Sequence, residues 1–243
     1  MSKVFSDLKT PEELREYLSS PFSHVRKSVF HYTSLDVLVK IISGKCFKMS
    51  RFETSNDVIE CDFVKPEIKA KRYICFMGTM IENFGMWAMY GGLHKQKEAK
   101  LANIYVKIEV PWKELKRLCD ENGLSANKIA YTNIVEAGNA RKTGIYYCGE
   151  QKNTKKIPLK REILSGFVKD FAWKYERELR VWTNKDEEYL NLDQRFIDSL
   201  KVIPSPLYSV KECEQLIKKT NPELSDRIKF QKNLYEGKYK GSK

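Results

Sequence analysis

Apolar and polar positions change period repeatedly along this chain, and the changes mark alternating helices and strands. Thr10-Pro11-Glu12-Glu13 reads as an N-cap, a proline at the first helical position and a capping-box carboxylate, predicting a short helix through about Leu18. Residues 28–33 (Ser-Val-Phe-His-Tyr-Thr) have strand composition. Ser34 then caps an apolar helix over 35–42, with Gly44 as its stop. Residues 46–49 and 72–77 read as strands, and the polar stretch 54–60 between them as a turn entering a helix. A short aromatic helix over 84–90 ends at Gly91-Gly92, a strand covers 102–110, and Pro111 starts the next helix. Further strands are predicted over 143–148 and 200–203, helices over 164–173 and 210–219, and a closing strand over 228–234. Residues 175–182 fit a strand that puts Glu176, Glu178 and Arg180 on one face and Arg177, Leu179 and Val181 on the other. The alternation predicts an α+β fold, a bent, mostly antiparallel split sheet with interspersed helices.

Length favours one domain with insertions over two cores, so we expect an N-terminal helical cover over 1–24 and a single α+β, catalytic-like domain over 25–243. No repeat, low-complexity run or Pro/Gly/Ser-rich linker marks another boundary. With 42% hydrophobic residues the mean hydropathy of −0.53 reflects a lysine-rich surface and not disorder. No stretch approaches the roughly 20 apolar residues of a membrane span, and Asp7, Glu12 and Glu13 argue against a signal peptide, so a cytoplasmic protein away from membranes is expected. Its six cysteines form no CxxC pair and no Cys/His cluster of zinc spacing, which suggests free thiols and no metal. The net charge of +12 favours polyanionic partners, nucleic acid among them, although no zinc finger or RNA-binding signature sharpens that expectation. Oligomeric state is not legible.

Several residues are candidates for chemistry. His31 stands at a strand end before a helix, where clefts open, beside Tyr32 and Thr33. Asn56-Asp57-x-x-Glu60 sets an amide and two carboxylates at a helix start, for capping or for an inward-facing Glu60. Trp87 and Tyr90 share a helix face, Trp87 suiting core filling and Tyr90 a cleft wall. Glu176, Glu178 and Arg180 between apolar neighbours demand either a polar cleft or a closed ion-pair network.

Residues 30–35 (Phe-His-Tyr-Thr-Ser-Leu), Gly44-Lys45, Ser55-Asn56-Asp57-x-x-Glu60, Met86-Trp87-x-x-Tyr90-Gly91 and Trp173-x-Tyr175-Glu176-x-Glu178-x-Arg180 together resemble the bacterial family called domain of unknown function 2971. The resemblance covers roughly residues 28–235, with Val58 where that family usually has proline. That family is distantly similar to the ADP-ribosyltransferase superfamily, which splits NAD between two halves of a bent sheet. The resemblance implies an ADP-ribosyltransferase-like fold with NAD as substrate and no metal. It implies His31 on the adenosine ribose with Tyr32 and Thr33 near it, and Tyr90 or Tyr146 stacked on nicotinamide. Glu178 would be the catalytic carboxylate, Glu176 would orient the acceptor, and Arg180 would join the NAD site. The implied activity is transfer of ADP-ribose to a macromolecule, nucleic acid or protein, or NAD hydrolysis, in a toxin or phage-defence setting. Two other readings are a non-catalytic nucleotide or nucleic-acid binding module, and a metal-dependent nuclease using Asp57, Glu60, Glu176 and Glu178.

Overall fold

Thr10 caps the first helix from both directions. Its hydroxyl accepts the Glu13 N–H at 3.2 Å and the Glu13 carboxylate accepts the Thr10 N–H at 3.1 Å, so α1 (Pro11–Leu18) begins as its sequence requires. The computed structural model describes residues 5–20, 27–55, 57–78, 83–90, 100–134, 144–148 and 154–236. Asn56, Gly91, Gly92, His94, Thr143 and the lysine-rich end beyond Glu236 lie outside the described residues.

Strand β1 (Ser28–Ser34) leads directly into α2 (Leu35–Gly44), whose N-terminus is capped by the Ser34 hydroxyl accepting from Val37 N–H. The helix runs through Gly44, and the left-handed cap is Lys45 at φ 47°, one residue later than the sequence predicts. β2 (Cys46–Lys48) and β3 (Ser50–Arg51) are short. Asp57 caps α3 (Val58–Phe63), Pro66 starts α4 (Pro66–Lys69), and β4 (Arg72–Met77) follows. α5 (Phe84–Tyr90) forms as expected. A 3-10 turn, Leu101–Asn103, takes the start of the strand predicted from 102, leaving β5 (Tyr105–Pro111); Pro111 closes that strand, and α6 (Trp112–Asn122) begins one residue later.

β6 (Ser125–Lys128), β7 (Ala130–Thr132), β8 (Gly144–Cys148) and β9 (Lys155–Ile157) come next. The helix predicted over 164–173 is not there. α7 (Arg161–Leu164) stops short because Gly166 takes φ 81°, β10 (Val168–Asp170) follows, and Asp170 then accepts from Ala172 N–H to open a 3-10 turn, Phe171–Glu176. Arg177 at φ 44° separates that turn from β11 (Glu178–Thr183), so the strand predicted from 175 starts three residues late and Glu176 is not on it. The chain continues through β12 (Tyr189–Asn191), α8 (Gln194–Ser199), β13 (Lys201–Pro204) and α9 (Val210–Thr220). In place of the predicted closing strand, Phe230 makes one parallel bridge to Val202.

The chain groups into two units built from interleaved segments. The first comprises Met1–Arg26, Met49–Gly78 and Lys116–Glu188; the second comprises Lys27–Lys48, Thr79–Leu115 and Tyr189–Lys243. In the first, β3, β4, β11 and β6 pair in that order, all antiparallel, while β10, β7, β8 and β9 form another sheet in which β10 and β7 are parallel. Its core gathers Phe5, Leu14 and Leu18 with Phe52, Tyr146, Phe167 and Trp182. In the second, β13, β5 and β1 are antiparallel neighbours and β12 pairs antiparallel with β2. The fold is mixed α+β with mostly antiparallel sheets, as the alternation of elements predicts. Among the described residues no helix is long and apolar enough to cross a membrane.

Candidate functional site

The Asn-Asp-x-x-Glu and Glu-x-Glu-x-Arg segments, more than a hundred residues apart, meet on one guanidinium in the first unit. Residues two apart on a strand share a face, so β11 presents Glu178 and Arg180 together. Cys75 stands opposite Arg180 in the β4–β11 register and therefore joins the same face. Asp57 accepts the Glu60 N–H at 2.9 Å, and this cap sets Glu60 in the first turn of α3 with no exposed surface. Lys169 comes from β10, and Glu176 from the 3-10 turn before β11.

Arg180 uses every edge of its fork. Its Nη1 donates to Glu60 Oε1 at 2.7 Å and to the Gly166 carbonyl at 3.2 Å, and its Nη2 reaches Glu60 Oε2 at 3.3 Å. Nε and Nη2 also donate to the two oxygens of Glu178 at 2.6 and 3.0 Å. Such paired, charge-assisted bonds are the strongest a guanidinium makes. Its Cζ lies 4.8 Å from the ring centres of both Phe52 and Tyr73. Lys169 Nζ bridges Glu176 Oε2 at 2.6 Å and Glu178 Oε2 at 3.3 Å, and the Cys75 thiol donates to Glu178 Oε1 at 2.8 Å. The Tyr131 hydroxyl accepts the Glu178 N–H at 2.7 Å, fixing the strand start.

Side-chain exposure is 1% for Glu178 and Arg180 and 0% for Glu60. Burial raises the Glu60 carboxyl above the ordinary carboxylate range, although Arg180 and Lys169 oppose it. Burial acts on Glu178 in the same sense, but the charges of Arg180 and Lys169 and the hydrogen bonds from Arg180 and Cys75 outweigh it and bring its pKa to about 2. Burial, then the neighbouring Glu178, pushes the Cys75 thiol far up, so it stays protonated and donating. Three carboxyl groups against two cations balance in charge when Glu60 keeps its proton.

The structure thus joins Glu60, Glu176, Glu178 and Arg180 in a closed network, the second of the two arrangements that the strand pattern allows. Lys169, Cys75 and Tyr131 are members that the sequence reading missed. Lys169 stands between the apolar Phe167-Val168 and the charged Asp170, so no local pattern marks it as buried.

Other candidates lie elsewhere. Asp57 is buried as a cap, and its Oδ2 makes no hydrogen bond among the described residues. Tyr146 is fully buried in the core of the first unit, its hydroxyl without a hydrogen-bond partner among the described residues, and burial raises its pKa well above the ordinary phenol value. The second unit holds His31, Tyr32, Thr33, Trp87 and Tyr90. There His31 meets Phe47 edge-on at 5.7 Å, and Tyr32 meets the buried Trp87 at 4.8 Å. Lys107 sits 5.1 Å from the Phe30 ring centre and about 6 Å from those of Tyr32 (6.0 Å) and Trp87 (5.9 Å). Thr33 pairs with Val106, and Tyr90 is the half-buried last residue of α5. No group of three metal-ligating side chains occurs among the described residues. No protein-family model matches the chain, and no curated protein matches it.

Proposed function

We propose that this chain is a binding module for a phosphate-bearing ligand, a nucleotide or the end of a nucleic acid, that does not turn its ligand over through the Glu-x-Glu-x-Arg segment. The enclosure of Glu178 carries this reading: a carboxylate that accepts from Arg180 and Cys75, is ion-paired with Lys169 and is 1% exposed offers a substrate little to bind. The charge of +12 supplies the attraction for a polyanion. Calorimetric titration with nucleotides and short oligonucleotides tests it. Binding without loss of ligand supports the module; no binding at moderate salt defeats it.

ADP-ribosyl transfer from NAD, on an ADP-ribosyltransferase-like fold, is a second reading. It is favoured by one observation: Glu178 is held ionised, and a fixed carboxylate is what an oxocarbenium-like transition state calls for. In that reading the ligand must displace Arg180 to reach Glu178. Nicotinamide release from NAD by the wild-type protein, with DNA, RNA or lysate added in turn, separates the two readings. Release above the no-protein control establishes turnover, and its absence in every mixture leaves the binding module.

A further inference from the structure

Away from the charge network, the first unit contains a cavity of about 450 Å³, the size of site that takes a small organic ligand. Two of its wall residues are cations with no ion-pair partner among the described residues: Arg15 on α1 and Lys71, just before β4. Each lies against an aromatic ring. Arg15 Cζ is 5.3 Å from the centre of Phe167, Lys71 Nζ is 5.1 Å from that of Trp182, and these two rings meet edge-to-face at 5.3 Å. The two cations therefore stand over adjoining rings. Of the other charges in the wall, Lys65 and Glu67 pair with each other at 3.1 Å, leaving the exposed Glu162 as the opposing carboxylate. Positive charge is thus in excess in the cavity.

Burial, and then the neighbouring Arg15, hold the Lys71 ammonium below its ordinary pKa. Glu67 acts on Lys71 in the opposite sense but less strongly than burial and Arg15, and two like charges so placed cost stability that an anionic ligand relieves. Ser125, Thr183 and Asn184 add hydroxyls and an amide to the wall, a lining suited to the polar edges of a sugar or base.

We infer that this cavity binds a nucleotide through its phosphate, which sits between Arg15 and Lys71. The inference rests on the binding-module reading and names its site. The bidentate fork of Arg15 and the point charge of Lys71 are complementary ways of holding phosphate oxygens. A cavity of this volume admits one nucleotide, so a polynucleotide enters only by a phosphorylated end.

The test is a titration of the full chain with a nucleoside 5′-monophosphate, the matching nucleoside, and an oligonucleotide with and without a 5′-phosphate. The phosphate-bearing forms bind about 100-fold more tightly than their partners, and whichever of the free nucleotide and the phosphorylated oligonucleotide binds more tightly identifies the source. Arg15→Ala and Lys71→Met, the latter keeping an apolar stem on Trp182, each weaken binding about 10-fold, as loss of one charge-assisted contact should. Unchanged affinity in both variants overturns the site while the binding reading stands. Absence of binding by the wild-type protein to every phosphate-bearing form overturns both.

Discussion

Glu60 and Glu178 accept from the same guanidinium, yet their surroundings drive them in opposite directions. For Glu60 burial dominates and favours the neutral acid; for Glu178 two cations dominate and favour the carboxylate. An amide is a close stand-in for the first and a poor one for the second. Glu60→Gln should cost about 1–2 kcal/mol, the scale of one imperfect buried hydrogen bond. Glu178→Gln should cost about 3–5 kcal/mol, because Arg180 and Lys169 are left as buried cations facing one carboxylate fewer. Urea unfolding of the two variants measures the difference, and equal costs would show that the two carboxyls are in the same state. The same asymmetry sets a pH dependence. Folding lowers the Glu178 pKa from 4.5 to about 2, so in this window the unfolded chain binds more protons. Its contribution is complete above about pH 4.5 and is lost as the pH falls towards 2. Glu60, with a raised pKa, acts in the reverse sense: above 4.5 the folded chain binds more protons, and its contribution falls as the pH rises. Replacing Glu178 by Gln should therefore remove part of the acid-side slope in a pH series of unfolding midpoints.

At the scale of elements, what could be read locally was read. The Thr10–Glu13 box, the Ser34 cap and the Asp57 cap are decided by residues three apart, and each forms. The segment from Leu164 to Trp173 has apolar residues that fit a helix as well as a buried strand, and Gly166 at φ 81° decides against the helix through a backbone state that composition does not encode. β6 and β7 are short strands with no alternation to betray them. The charged face of β11 was legible from its period, but its partners were not: Glu60 and Arg180 are 120 positions apart, and no local pattern reports a contact of that range. The left-handed cap at Lys45 offers a prediction of its own. This exposed residue holds φ 47°, which costs an L-residue roughly 1–2 kcal/mol, while glycine adopts it freely. Lys45→Gly should stabilise by about 0.5–1 kcal/mol after the added flexibility of the unfolded chain is subtracted, as a thermal melt would show.

For the whole molecule the governing quantity is a charge of +12 carried by 44 basic and 32 acidic residues. A diffuse basic surface and a cavity that takes one terminal phosphate predict different salt behaviour. Coating of the surface by nucleic acid would lose roughly 10³-fold in affinity between 50 and 200 mM salt if about six phosphates were neutralised. End-on binding engages about one phosphate and should lose only a few-fold over that range. A titration of the 5′-phosphorylated oligonucleotide at the two salt concentrations tells them apart, and the shallow dependence is the expected result.

The interleaving of the two units also bears on how the protein is made. The first unit draws on three separated stretches reaching as far as Glu188, and the second begins before the first is finished. A chain leaving the ribosome has Glu60 in hand long before Arg180 exists to receive it. The first unit therefore cannot settle before its last stretch, Lys116–Glu188, has been made, and the second waits for Tyr189–Lys243. Until Arg180 emerges, the Glu60 carboxylate can be satisfied only by water.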